Sequence, residues 1–522
     1  MVARTNTAGG RPGGPAGFPP SGGMGRRGGP DLTTGPIGPT LIAFAMPVLG
    51  SNILQSLNGS ANAVWVSHVL GEAALTATSN ANQIFFLMLG AVFGISMAAN
   101  IMIGQAIGAE DDALAKRVVG TSTIFFIILS LAVGVAGFTL TPAILSAMGT
   151  PPDARADAIA YLRVIFAAMP FIYFFSFMMM AQRGTGDSRT PFYFSLLAVG
   201  LDVILNPLLI IGVGPFPQMG IAGSATSTLI AQTVTLAAML VHLYRRNSIL
   251  VLRPSEWRLL IPDLTIIRTL LLKGMPMAFQ MIVLSLAAVT MMSLVNGYGV
   301  HTSAAYGAAA QLWTYVQMPA MALGAAVSSM AAQNVGAGRM DRVEKIAGIG
   351  ALYALLFTAV PVLIIYLADP WVLRAFLPGD SPSLAIAVHI NAIVLWGFIA
   401  FGVAFIFSGI VRATGAVWPP LLAMIISLWG VRVPLANLLM PYMGADAIWI
   451  SFPIGSLVTC LLAGGYFLWG GWRKSRMLPA AARPSADAPD TGLGQPMMDE
   501  SEAVTDEELR RSSPSAPNRP GS

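Results

Sequence analysis

Two stretches decide the fold: NIMIGQAIGAEDDALAKRVVG at residues 100–120 and SSMAAQNVGAGRMDRVEKIAG at 329–349. Each is an apolar run that ends in Gln-x-x-Gly-Ala and passes into a short charged segment. Gln105 and Gln333 are 228 residues apart, and Gly108-Ala109 returns as Gly336-Ala337 at the same spacing. Working outward, the offset persists. Met46-Pro47 recurs as Met275-Pro276 at 229, and Arg183-x-Thr185-Gly186 recurs as Arg412-x-Thr414-Gly415 at 229. Gly71 and Gly299 are 228 apart, as are Gln83 and Gln311. Matches in one order at a near-constant offset mark an internal duplication.

The 522 residues are 55% hydrophobic and only 10% charged, whereas soluble chains carry about 25% charged residues. This composition excludes an ordinary soluble enzyme and dominant disorder. The apolar runs are too long for a β-barrel, whose strands alternate over about 10 residues. Twelve candidate helices lie at roughly 38–66, 75–107, 118–146, 157–182, 191–213, 221–245, 266–297, 303–335, 345–368, 384–411, 418–441 and 446–471. Pro47, Pro170, Pro207, Pro276, Pro319, Pro361 and Pro434 fall inside these runs. Membrane helices accept such prolines as kinks when neighbours re-satisfy the freed carbonyls. The expected fold class is an all-α polytopic membrane protein of two six-helix lobes. Six spans per copy give both lobes the same orientation, with a pseudo-two-fold axis along the membrane normal and a site between lobes near the midplane.

Basic residues set the topology. Lys116, Arg117, Arg183, Arg189, Arg245, Arg246, Arg253, Arg258, Arg268, Lys273, Arg339, Arg342, Lys345 and Arg412 fall in the even loops, and further bases lie in both tails. The odd loops hold only Arg155 and Arg374. Both termini are therefore expected in the cytoplasm, with the protein in the cytoplasmic (inner) membrane. The net charge of +5 is explained by these loops without nucleic acid as a partner. Residues 1–36 are Gly/Pro-rich and lack the apolar core of a cleaved signal peptide. They read as a disordered tail, as do residues 473–522. The lobes are expected at 37–246 and 265–472. Between them, 247–264 reads as an interfacial amphipathic linker on the cytoplasmic surface, or a plain linker.

One cysteine, Cys460, and four scattered histidines give no metal-binding spacing. No P-loop is present, and no polar cluster in the spans suggests an enzyme. Asp202 is, by these boundaries, the only carboxylate deep inside a span. Such residues usually face a cavity and serve ion or proton pathways; the alternative is a hydrogen-bonded structural Asp. Asn206 shares its helix face, and Pro207 frees a carbonyl nearby. Gln55, Asn58, Gln83, Gln280, Gln311, Trp313 and Tyr315 are candidates for a substrate cavity, since amides and aromatic faces suit amphipathic cations; inter-helix packing is the simpler role for each alone. Arg183 and Arg412 are expected to anchor the cytoplasmic side. His301 and His389 are lesser candidates for proton transfer.

The two opening stretches, with QRGTGDSRTPF (182–192), LDVILNPLLIIGVG (201–214) and LWGVRVPLANLL (428–439), resemble the paired signatures of the MATE family, the multidrug and toxic compound extrusion transporters. The resemblance spans about 37–472. It implies a twelve-helix, two-lobe antiporter that exports organic, often cationic, compounds in exchange for protons or sodium ions. No cofactor and no metal are expected, and the protein is expected to act as a monomer in the bilayer. Proton-coupled relatives carry an Asp in span 1 and Asn-x-x-x-Asp-Pro in span 5. Here span 5 reads Asp202-x-x-x-Asn206-Pro207, and the span 1 acid position holds Asn62. Thr228 and Tyr161 match the hydroxyl positions of that lobe's ion site. The second lobe has no Asp or Glu from Met275 through His301, nor from Ser381 up to Asp446, so members with second-lobe acids match poorly. Proton coupling is the favoured expectation. A first-lobe sodium site and a lipid-linked oligosaccharide flippase are the alternatives, the latter disfavoured because Arg432 is nearly the only base in the central spans.

Overall fold

The computed structural model describes residues 29–477, except 71, 148, 151, 215, 375 and 378–380. Six helices form the first lobe: α1 (Ile37–Leu70), α2 (Glu72–Gly108), α3 (Asp112–Ala147), α4 (Pro152–Gly184), α5 (Arg189–Ile211) and α6 (Ile221–Arg245). The second begins with α7 (Leu264–Asn296), α8 (Val300–Gly336) and α9 (Met340–Leu373). Its fourth span, α10, is broken into Pro382–Val394 and Gly397–Ala413, which meet at 46°. The fifth, α11, runs as Trp418–Ile425, a π-helical turn Ile426–Arg432, and Val433–Met443. The π turn precedes Pro434, whose missing N–H and bulky ring disrupt the ladder there. The last span is α12 (Asp446–Trp469). Among the described residues ten helices are long and apolar enough to cross a membrane, and the bent pair supplies an eleventh. The twelfth, α8, has 37 residues but dilutes its apolar content with Gly, Ser, Gln and Asn. The chain is a multi-pass helical membrane protein, because only internally hydrogen-bonded segments of this kind can cross lipid.

The duplicated motifs explain themselves at the join between lobes. A Cβ on Gly108 would lie 1.8 Å from the Gln333 carbonyl oxygen, and one on Gly336 would lie 2.0 Å from that of Gln105. The Gln105 side-chain amide donates to the Ala413 carbonyl at 2.7 Å, and that of Gln333 donates to the Gly184 carbonyl at 2.9 Å. Each contact is thus repeated with the lobes exchanged, as a two-fold axis requires. Thr185 and Thr414 cap the equivalent helix ends, each donating at 2.8 Å to a carbonyl three residues back. Gly186 and Gly415 then turn the chain at φ of 93° and 98°, where a side chain would be strained.

One hydrophobic core covers the first lobe and the termini-proximal half of the second, including Ala326–Ala332 and Ile406–Val417. The opposite half of the second lobe has a separate core around Trp313, Trp449 and Phe452. The lobes are therefore joined on the side that carries both described chain ends, near residues 29 and 477, and part toward the other face.

The described ends of both tails are packed, so the tail boundaries drawn at 36 and 473 are corrected for residues 29–36 and 473–477. Leu32 is 1% exposed, and its N–H donates to Gln333 Oε1 at 3.2 Å. Carbonyls of Leu32, Thr33, Thr34 and Gly35 accept from Asn334, Arg339 and Arg342. A Cβ on Gly186 would meet the Pro30 oxygen at 2.6 Å. Residues 29–35 thus strap the first lobe to the second. Residues 476–477 pass Gly415 as Pro30 passes Gly186: a Cβ there would meet the Arg476 carbonyl oxygen at 2.8 Å, and Met477 is 1% exposed. Leu32 and Met477 are apolar anchors in otherwise polar or Gly/Pro-rich sequence. Leu32→Ala should cost about 2–5 kcal/mol, the usual range for a buried leucine, and lower the thermal unfolding midpoint in detergent; an unchanged midpoint would show that the strap contributes nothing.

The connection between lobes forms a short 3₁₀ turn, Pro254–Leu260. Trp257 and Ile261 are exposed, as an interfacial segment requires. Lys116 pairs with Glu256, and Arg117 with Asp263 at 2.7 Å. Burial alone pushes Glu256 up, but the Arg253 amide and the Lys116 ammonium outweigh it and hold the carboxyl below its usual range.

Candidate functional site

Three helices of the first lobe converge on Asp202 through pairs spaced by three or four residues: Asn58 and Asn62 on α1, Asp202 and Asn206 on α5, Ser224 and Ser227/Thr228 on α6. Such spacing places each set on one helix face. Asp202 is 4% exposed. Its Oδ2 accepts from the Asn58 amide at 2.9 Å, and its Oδ1 from the Ser227 hydroxyl at 2.6 Å. Thr228 Oγ1 lies 3.3 and 3.2 Å from the two carboxyl oxygens. No Lys, Arg or His forms an ion pair with Asp202 among the described residues. A buried carboxylate without a cation is costly unless its lone pairs are satisfied, and here three neutral donors supply that satisfaction.

A second layer lies one helical turn further along α5. Asn206 donates to Asn62 Oδ1 at 2.9 Å and approaches Ser224 Oγ at 3.4 Å; Ser224 donates to Asn62 Oδ1 at 2.5 Å. Asn206 Oδ1 is buried without a partner. Thr228 Oγ1 also lies 3.4 Å from the Ser224 carbonyl, so its hydrogen has a second acceptor. Tyr161 is buried beside the cluster; its hydroxyl is 3.5 Å from Asn82 Oδ1, with Asn62 and Asp202 as further polar neighbours. Asp202, Asn206, Asn62, Thr228 and Tyr161 thus gather in one region. Asn58, assigned from sequence to a substrate cavity, is instead a direct partner of Asp202. Ser224 and Ser227 were not singled out, although the SATST run at 224–228 places hydroxyls at helical spacing.

The remaining cavity candidates scatter. Gln55 and Gln311 are exposed and Tyr315 is partly exposed. Gln280 is buried and accepts from Arg412 Nη1 at 3.1 Å, and Trp313 is buried and donates to Asn391 at 2.9 Å. Both are corrections: their polar atoms hold helices together inside the second lobe. Gln83 lies outside the residues whose side chains are described. His389 pairs with Asp446 at 2.8 Å in an exposed position, away from the Asp202 cluster. No group of three His, Cys, Asp or Glu suited to a metal occurs among the described residues.

A further buried carboxylate was missed. Asp369, expected in a loop, lies within α9 because that helix runs one turn longer, to Leu373. It accepts from Asn391 at 2.7 Å.

Known proteins agree with this architecture. The probable multidrug resistance protein YoeA of Bacillus subtilis is 36% identical over 83% of this chain and 94% of its own length. The probable multidrug resistance protein YpnP of the same organism is 29% identical over 86% of this chain and 98% of its own. A MATE protein crystallised in complex with MaL6 superposes with a TM-score of 0.78, at 22% identity, covering 84% of this chain and 96% of that one. The MatE family profile matches residues 47–208 and again 276–438, one match per lobe. The chain belongs to the MATE family of transporters.

Proposed function

We infer that the protein is a secondary antiporter that exports amphipathic organic compounds, many of them cationic, in exchange for protons taken up at Asp202. The observation that carries this reading is a buried carboxyl held only by neutral donors, beside a hydroxyl with two acceptors. When Asp202 is ionised, Thr228 donates to it. When Asp202 is protonated, it donates to Thr228 Oγ1, and the Thr228 hydrogen turns to the Ser224 carbonyl. Both protonation states then have satisfied hydrogen bonds without moving a helix far. The basic loops support cytoplasmic termini, and with that orientation the cleft between the lobes opens outward. Gln55, Gln311 and Tyr315 are its proposed lining. The protein sits in the cytoplasmic membrane and acts as a monomer.

The test is export of ethidium by the protein reconstituted in vesicles, under a pH gradient or a sodium gradient applied separately. The pH gradient should drive export and the sodium gradient alone should not. The reverse result would assign the oxygens of Asp202, Asn62 and Thr228 to sodium, a hard cation that such ligands suit.

A further inference from the structure

We propose that Arg432 is an oxyanion subsite in the second lobe, taking the carboxylate or phosphate of an organic cargo. The word cargo rests on the transport reading above; the subsite itself does not. Arg432 closes the π turn Ile426–Arg432, and such turns often mark functional positions. It lies 230 residues after Asp202, close to the repeat offset. Each of the two faces the last helix of its own lobe, Asp202 at Ser227 and Arg432 at Gly455, themselves 228 apart. The duplication thus carries opposite charges within one or two residues of matching places.

Arg432 is built in but left unpaired. Its guanidinium carbon stands 3.1 Å from the centre of the Phe452 ring. Phe452 packs in turn on Trp313, with ring centres 5.3 Å apart, and on Tyr306 at 6.3 Å. A Cβ on Gly455 would fall 3.2 Å from Arg432 Cβ and 3.4 Å from Cδ, so this glycine makes the bed for the stem. Nε is buried with no hydrogen-bond partner, and no acid pairs with Arg432 among the described residues. Arginine does not shed its proton to escape this situation.

Two other arginines, the buried ones, also lack acids among the described residues. Arg183 and Arg412 sit in the last turns of their helices, where the helix dipole favours a cation. Arg412 donates to Gln280 and Arg183 contacts the Met180 sulfur. Both are almost fully buried. Arg432 lies inside its span, where the π turn passes directly into the next helical segment, and it remains partly accessible. Guanidinium edges match carboxylate and phosphate oxygens in pairs.

The experiment uses the full-length protein in phosphatidylcholine nanodiscs, with fluorescein as the carboxylate probe and ethidium as the cation. Fluorescein should bind the wild type. Arg432→Gln should weaken it by about tenfold or more, the usual scale for a lost charge-assisted pair, with ethidium affinity unchanged. Gly455→Ala keeps the guanidinium but displaces its stem, and should weaken fluorescein severalfold; it covers the case in which Arg432→Gln fails to fold. Equal fluorescein affinity in wild type and both variants would overturn the subsite. If phosphatidylglycerol in the nanodisc abolishes fluorescein binding to the wild type, the oxyanion is a lipid headgroup and the cargo assignment falls. Asp202→Asn should bind fluorescein like the wild type while failing to export, so loss of the coupling reading and loss of this one are separately visible.

Discussion

Asp202→Asn should reduce pH-driven export of ethidium to the level of protein-free vesicles while leaving ethidium binding intact. The substitution preserves shape and much of the network. The new amide oxygen still accepts from Ser227 and Thr228, which lie 2.6 and 3.2–3.3 Å from the native carboxyl. The new amide nitrogen faces the Asn58 nitrogen, and a flip of the Asn58 amide turns that donor pair into a hydrogen bond. Folding is therefore retained, and what disappears is the proton. Binding shifts a conformational equilibrium only through differential affinity, so a carrier that cannot change protonation state has no means of transmitting the gradient. Exchanging the two residues, with Asp202→Asn and Asn206→Asp together, is the sharper arm. A carboxyl at 206 would meet the Ser224 hydroxyl and a flipped Asn62 amide, which now lie within 3.4 Å of Asn206. That variant should recover part of the export. Full export by the single variant would show Asp202 to be structural.

How much of this was legible in the sequence depends on whether a feature is local. The duplication, the apolar runs and Asp202 were readable because each is carried by residues close together or by an offset. Asn58 was misassigned because an amide on α1 looks the same whether it faces a cleft or a carboxylate 144 residues away. Gln280 and Trp313 failed for the same reason: their partners, Arg412 and Asn391, lie on a helix distant in sequence. The missed serines carried a signal, since Ser224, Ser227 and Thr228 have helical spacing, but serine and threonine in membrane helices more commonly bond their own backbone. The Leu32 strap was hidden by composition. A single leucine among Gly, Pro and Thr does not announce burial, and only the surface formed by Gln333, Asn334, Arg339 and Arg342 gives it a place to dock.

The smallest possible enlargement at the seam, Gly108→Ala, should prevent the lobes from closing on the termini side. The added carbon would stand 1.8 Å from the Gln333 carbonyl oxygen, and this neighbour is backbone, so no side chain can swing away. Relief requires α2 and α8 to separate, which also breaks the bonds from Gln105 to Ala413 and from Gln333 to Gly184. Overpacking alone typically costs about 1–3 kcal/mol, and each lost hydrogen bond adds about 0.5–1.5 kcal/mol. These terms sum to about 2–6 kcal/mol, and about 5.5 kcal/mol carries a two-state equilibrium from 1:99 to 99:1, so the upper end reverses the preferred state and the lower end shifts it substantially. Gly336→Ala should act alike, because its Cβ meets Gln105 at 2.0 Å. Gly348→Ala, with nothing within 4 Å, is the control expected to be silent. Ser329 reports the outcome: it is 1% exposed and lies 3.5 Å from Asn100 across the seam. With the lone Cys460 replaced by Ala, Ser329→Cys should resist a polar maleimide in the parent and react readily when Gly108→Ala or Gly336→Ala is added. Continued protection in both variants would mean that the seam accommodates the methyl group by local bending and does not govern which side of the transporter is open.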